Sequence, residues 1–259
     1  FLPSEYGVVT EIYAYVAVLI IVLTYGLETA FFRFSKKENN TNIVYSTSLI
    51  SLFFSSSIFI LLIFLSSSSI ANYLGYGIEA RYIKWFAIIV GMDAISSISF
   101  AKLREEERAV QFATIKLVGI FTNIILNFYF IVYKELGIEY IFISNLISSI
   151  ITIFCLSPIM LKANLVFNII LWKRMIIYAF PLLIAGLAGI TNEVMDRILL
   201  KHLLPNQEIA THEIGLYGAF YKLSIIMALF VQTFRFAAEP FFFEQHKNKQ
   251  DTKIYADVM

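Results

Sequence analysis

Four basic side chains stand inside otherwise apolar stretches of this 259-residue chain: Lys116, Arg197, Lys222 and Arg235. Polar partners accompany them at helical spacing. Asn192, Glu193 and Asp196 precede Arg197, Gln232 and Glu239 flank Arg235, and Asn123 and Asn127 follow Lys116; Glu28 and Asp93 are carboxylates in apolar runs of their own. Charged groups in such places mark a polar lining that faces protein or water rather than lipid. Cys155 is the single cysteine, and His202, His212 and His246 sit in separate segments at no ligand spacing. The residues therefore point to binding, with no catalytic constellation, no metal site and no cofactor.

These charges need elements that keep them out of lipid. A Lys, Arg or Asp near the middle of a membrane helix costs about 2.5 to 3.5 kcal/mol on insertion scales, whereas a Leu or Phe returns a few tenths. Four such groups facing lipid would cost on the order of 10 kcal/mol, so they must face protein or water. Helical projection agrees. At about 100° per residue, Tyr217, Tyr221, Ser224, Gln232, Arg235 and Glu239 fall within roughly 80° of one face. Pro181, Gly186, Gly189, Asn192, Glu193, Asp196 and Arg197 form a second polar and small-residue face, opposite Ile184, Leu187, Val194, Met195 and Ile198. Glu193 and Arg197 are four apart, in the favourable order for an intrahelical ion pair.

Composition fixes the environment. The chain is 59% hydrophobic and 15% charged, with mean hydropathy +0.75, against about a quarter charged in soluble domains. A bilayer core of about 30 Å needs roughly 20 apolar residues per helix. Seven stretches qualify: Gly7 to Phe34, Val44 to Leu65, Arg81 to Leu103, Val110 to Tyr133, Ile138 to Leu161, Arg174 to Leu203 and Gly215 to Phe243. This is an all-α polytopic membrane protein. The net charge of +1 carries no nucleic-acid signal.

Of the twenty Lys and Arg, twelve lie in alternate inter-helix segments, around Arg33 to Lys37, Lys102 to Arg108, Lys162 to Arg174 and Lys247 to Lys253, and four lie on the other side. The basic side is assigned to the cytoplasm. Residues 1–6 and the serine-rich loop Ser66 to Ile78 are then external. Asn39-Asn40-Thr41 fits a glycosylation acceptor but falls on the cytoplasmic side, and Leu103 to Ala109 reads as a solvated turn whose carboxylates pair with Arg104 and Arg108.

An internal echo organises the helices. Tyr6-Gly7 returns as Tyr217-Gly218 and Glu28 as Glu239, each 211 positions on, and each copy closes with a double phenylalanine, Phe31-Phe32 and Phe242-Phe243. Tyr6, Thr10, Tyr13, Thr24 and Glu28 share one narrow face, so the repeat preserves a polar lining. Plainer readings stand beside these. Lys116 and Lys222 lie about two turns from a span boundary and equally suit snorkelling; Glu193 with Arg197 also suits a structural pair; Glu28, Arg235 and Glu239 suit an interfacial position. Asp93, flanked by Ser96 and Ser97, suits either a protonated packing donor or a coupling-ion site.

The run Glu5-Tyr6-Gly7, then Gly26-Leu27-Glu28 and Arg33-Phe34, resembles the second helix of polysaccharide-biosynthesis flippases of the MATE/MOP transporter superfamily. Phe180-Pro181, Gly186-Leu187, Asn192, Asp196-Arg197-Ile198-Leu199-Leu200, Gly215-Leu216-Tyr217, Tyr221-Lys222-Leu223 and Phe236-Ala237-Ala238-Glu239-Pro240 resemble its seventh and eighth helices. The resemblance covers essentially the whole chain. It implies helices two to eight of a two-lobed transporter of twelve to fourteen helices. Residues 1–165 would be an N-terminal lobe lacking its first helix, and 166–259 the start of the C-terminal lobe. Phe1, which is not an initiator methionine, and the charged segment before Met259 also read as the ends of an internal piece. The implied activity is transport, not catalysis: flipping of an undecaprenyl-diphosphate-linked oligosaccharide across the bacterial inner membrane by alternating access, driven by a proton or sodium gradient. Arg197, Arg235, Lys222 and Lys116 match a cationic cavity in type, although interleaved carboxylates make it mixed. A drug or cation exporter of the same superfamily would favour a more acidic cavity; a membrane-embedded polymerase or glycosyltransferase would need a large extramembrane loop.

Overall fold

The computed structural model describes residues 2–38, 41–74, 80–164, 166–204 and 206–247, with the side chains of 207, 228, 229 and 231–247 outside the described ones. Every described element is helical: α1 (Pro3–Thr24), α2 (Leu27–Lys37), α3 (Thr41–Leu74), α4 (Ala80–Glu105), α5 (Ala109–Asn127, continued by a π-helical turn Phe128–Tyr133), α6 (Glu139–Met160), α7 (Ile169–Leu203) and α8 (Gln207–Lys247). In hydrocarbon a chain must satisfy its backbone internally, which leaves helices as the solution for such apolar runs. Pro3 opens α1, the Asn168 carboxamide oxygen caps α7 by accepting from the Ile170 and Leu171 amides (3.1 and 3.0 Å), and Lys36, Lys37, Lys102 and Arg104 sit in the last turns of α2 and α4. Among the described residues six segments are long and apolar enough to cross a bilayer, α1 and α2 counting together. The expected seventh span lies within α8.

Two expectations change. The span Gly7 to Phe34 is not one helix: Tyr25 (φ 35) and Gly26 (φ 70) turn left-handed and separate α1 from α2. Glycine suits that turn, and it also lets α7 close in, because a Cβ at Gly26 would lie 2.9 Å from the Ala179 carbonyl oxygen. The serine-rich segment from Ser66 is not a loop, since α3 runs on to Leu74. Within it Ser67 turns its hydroxyl back on its own helix, donating to the Phe64 carbonyl (2.9 Å), as Ser57 does upstream to the Phe53 carbonyl (2.7 Å). Residues 39–40 of the sequon and 75–79 after α3 lie outside the described residues.

Helix association in lipid relies on close packing and hydrogen bonds more than on hydrophobic burial. The core mixes Phe31, Leu52 and Ile98 with small buried serines that allow close packing, among them Ser46, Ser56, Ser96 and Ser99, and of these four Ser99 bonds across helices, to the Tyr45 hydroxyl of α3 at 3.0 Å. The echoed motifs meet in space. Gly7 of α1 packs so tightly on the backbone of Thr211 and Gly215 in α8 that no Cβ fits, and a Cβ at Gly218 would lie 2.7 Å from the Thr10 hydroxyl.

The ends of the bundle sort as the charge pattern requires. At one end Arg174 pairs with Glu38 (3.0 Å), Arg104 with Glu28, and Lys102 donates to Asn42 (3.3 Å). At the other Lys201 pairs with Glu11 (2.6 Å) and Arg81 with Glu139 (3.5 Å). We call these the basic end and the far end.

Candidate functional site

Helices α1, α5, α7 and α8 border a cavity of about 590 Å³ on the far-end side, termed the outer cavity. Each contributes a polar face: Tyr6, Thr10 and Tyr13 from α1, Asn123 and Asn127 from α5, Glu193 and Arg197 from α7, Tyr221 and Lys222 from α8. Arg197 is only 9% exposed, its guanidinium lies over the Tyr221 ring at 4.2 Å, and its Nε is buried without a hydrogen-bond partner. Tyr217 and Tyr221 stack with ring centroids 6.1 Å apart, and Lys222 reaches over the Tyr6 ring at 4.9 Å. Asn127 donates to the Asn123 carboxamide oxygen (2.7 Å), which leaves amide groups facing the space. A cation without a carboxylate partner among the described residues, beside aromatic faces and amides, can take an anionic group and polyhydroxylated matter together.

The predicted Glu193–Arg197 ion pair does not form. Tyr221 comes between: its ring takes the guanidinium and its hydroxyl donates to Glu193 at 3.5 Å. Asp196 turns away from the cavity and accepts from the Arg197 amide (2.8 Å) and from the Tyr217 hydroxyl. Asn192 is exposed and lines neither cavity. Gln232, Arg235 and Glu239 have side chains outside the described ones.

The remaining predicted residues gather elsewhere. Glu28, Asp93, Arg104 and Lys116 line a second cavity of about 510 Å³ between α2, α4, α5 and α6, towards the basic end. Asp93 accepts from the Ser149 hydroxyl (2.9 Å), and Lys116 lies 4.2 Å above the Phe100 ring. Glu28 does not continue the α1 stripe, because the turn at Tyr25-Gly26 swings it to Arg104. Arg104 is therefore taken from the charged turn. Within that turn Arg108 pairs with Glu106 (3.2 Å), as does Lys102 (3.1 Å).

Three features escaped the sequence reading. The α6 residues Asn145, Ser148, Ser149 and Thr152 line the second cavity, and their spacing of three and four was the available signal. Asn145 donates to the Tyr13 hydroxyl (2.8 Å), so this pair stands between the two cavities. The Glu11–Lys201 pair had no signal, since its members are 190 residues apart and Lys201 reads as a boundary lysine.

The fold and these cavities define a multi-pass membrane protein with two cavities between its helices whose linings include side chains of both charges. A family model described as polysaccharide biosynthesis protein matches residues 1–256, and the chain belongs to that family. Its role is in polysaccharide biosynthesis. No curated protein and no solved structure matches the chain.

Proposed function

We propose that this chain forms part of a flippase that carries undecaprenyl-diphosphate-linked oligosaccharides across the bacterial inner membrane by alternating access of two lobes. The lobes divide at 165/166, and the basic end faces the cytoplasm. The observation that carries the reading is Arg197, a nearly buried cation stacked on an aromatic ring, with its Nε buried without a partner, among the residues that line the outer cavity. With Lys222 it would hold the diphosphate. Tyr6, Tyr221, Asn123 and Asn127 would meet sugar rings and hydroxyls, while the prenyl chain stays in lipid. Mixed charge is accommodated because Glu193 is held through Tyr221 and does not neutralise Arg197.

Asp93 is the proposed coupling site. It is a carboxylate inside the membrane, held by Ser149 in a cavity that also contains Lys116, so proton or sodium binding there would change the charge of the chamber. Arg197→Ala and Arg235→Ala, each in the full natural chain in cells, test the binding assignment. Surface polysaccharide should fall sharply at normal protein level; undiminished polysaccharide in both would remove those residues from the mechanism.

A further inference from the structure

Lys201 and Glu11 form a salt bridge of 2.6 Å with side chains only 7% and 1% exposed. The Lys201 ammonium also donates to the Leu74 carbonyl at the end of α3 (3.2 Å), so one cation ties α7 to both α1 and α3. One turn before Glu11, on the side of α1 that meets α8, Gly7 makes its backbone contact with Thr211 and Gly215. Helix α1 is thus clasped by α7 and by α8 at the far end, directly beside the outer cavity lined by Tyr6 and Thr10. The basic end is joined differently. There α7 meets its neighbours through the well-exposed Arg174–Glu38 pair, Arg33 over the Tyr178 ring, and neutral hydrogen bonds from Asn168 to Thr47 and Trp172 to Ser51.

A buried ion pair suits a contact with two stable conditions. Closed, each charge is compensated by its partner; opened to water, each is compensated by hydration; any half-open state leaves both poorly solvated. Permanent glue would not require charges, because apolar side chains of like volume hold two helices at least as well.

We propose that Glu11–Lys201 is the latch of the far end, closed when the outer cavity is shut from that side and broken when the cavity opens to it. The proposal rests on the reading that α1–α6 and the segment from α7 onward move against one another. It differs from that reading in its test, because opening can be followed without a transported substrate.

The test uses the full natural chain in cells with Cys155 replaced by Ala and a cysteine at Thr10, which faces the cavity, labelled by a membrane-impermeant maleimide from outside. Glu11→Ala with Lys201→Ala should label severalfold faster than the parent, and the charge-exchanged pair Glu11→Lys with Lys201→Glu should return labelling to the parent rate. That return guards against a trivial folding defect. In a second experiment cysteines replace Glu11 and Lys201 and are bridged by a bifunctional methanethiosulfonate. Bridging should stop polysaccharide export, and a reductant should restore it. Unchanged labelling in the neutral pair, or undiminished export by the bridged protein, overturns the latch. Faster labelling in cells whose polysaccharide export is indifferent to the protein keeps the latch and removes the flippase reading.

Discussion

In the proposed binding site the Arg197 guanidinium is stacked on Tyr221, and its Nε is buried without a partner. Arg197→Lys retains the charge but loses the planar contact, which is worth about 0.5 to 2 kcal/mol. Binding of a short prenyl diphosphate to the purified full chain should weaken by roughly 2- to 30-fold, read by ligand-induced thermal shift. At Asp93, Asn preserves an acceptor for Ser149 while removing the charge. Export by Asp93→Asn should no longer respond to collapse of the ion gradient; a response equal to the wild type would contradict the coupling assignment. The residue types of both sites were legible in the sequence, since in-span charges are too unfavourable to face lipid. Their partners were not. Helical spacing set Glu193 against Arg197, but a tyrosine from another helix took both groups, and no single-helix projection contains α8.

At the scale of elements, the contact between α1 and α8 depends on the absence of side chains. Gly7→Ala and Gly215→Ala would drive a methyl into the Thr211 and Pro3 carbonyl groups respectively, where neither backbone can retreat without separating the helices. Each should cost about 1 to 3 kcal/mol or more, seen as a lowered thermal midpoint of the purified protein. Lys201→Ala alone strands a buried carboxylate and should cost about 3 to 5 kcal/mol, more than the double change with Glu11→Ala. The turn between α4 and α5 carries a pH dependence. Burial raises the Glu106 carboxyl, but the hydrogen bonds and charges of Lys102 and Arg108 outweigh it and hold the group below its ordinary value of 4.5. A lowered folded-state value means that the contribution is present above the ordinary value and is lost as pH falls through the lowered one. Thermal midpoints should therefore fall below about pH 4.5 less steeply in Glu106→Gln than in the wild type, by a small margin because the pair is partly exposed. Helix existence and extent followed from apolar run length. The break at Tyr25-Gly26 and the serine-rich end of α3 did not, because one involves α7 approaching Gly26 and in the other Ser67 bonds back to its own helix.

For the whole molecule, alternation of basic and non-basic inter-helix segments anticipated which ends lie together, and the ion pairs at the two ends agree with it. The 211-residue echo was visible as duplication, yet its structural sense is contact: the two copies are the helices that touch at Gly7, Gly215 and Gly218. The stripes that seemed to line one chamber divide between two cavities, with Tyr13 and Asn145 between them. Translocation of a diphosphate-linked oligosaccharide by the full natural chain in sealed proteoliposomes tests the proposed function most directly. The wild type should expose the lipid-linked sugar to an enzyme on the opposite face over time, and Arg197→Ala should do so no faster than protein-free vesicles. Equal exposure with and without the wild-type protein, or equal rates for wild type and Arg197→Ala, would contradict it.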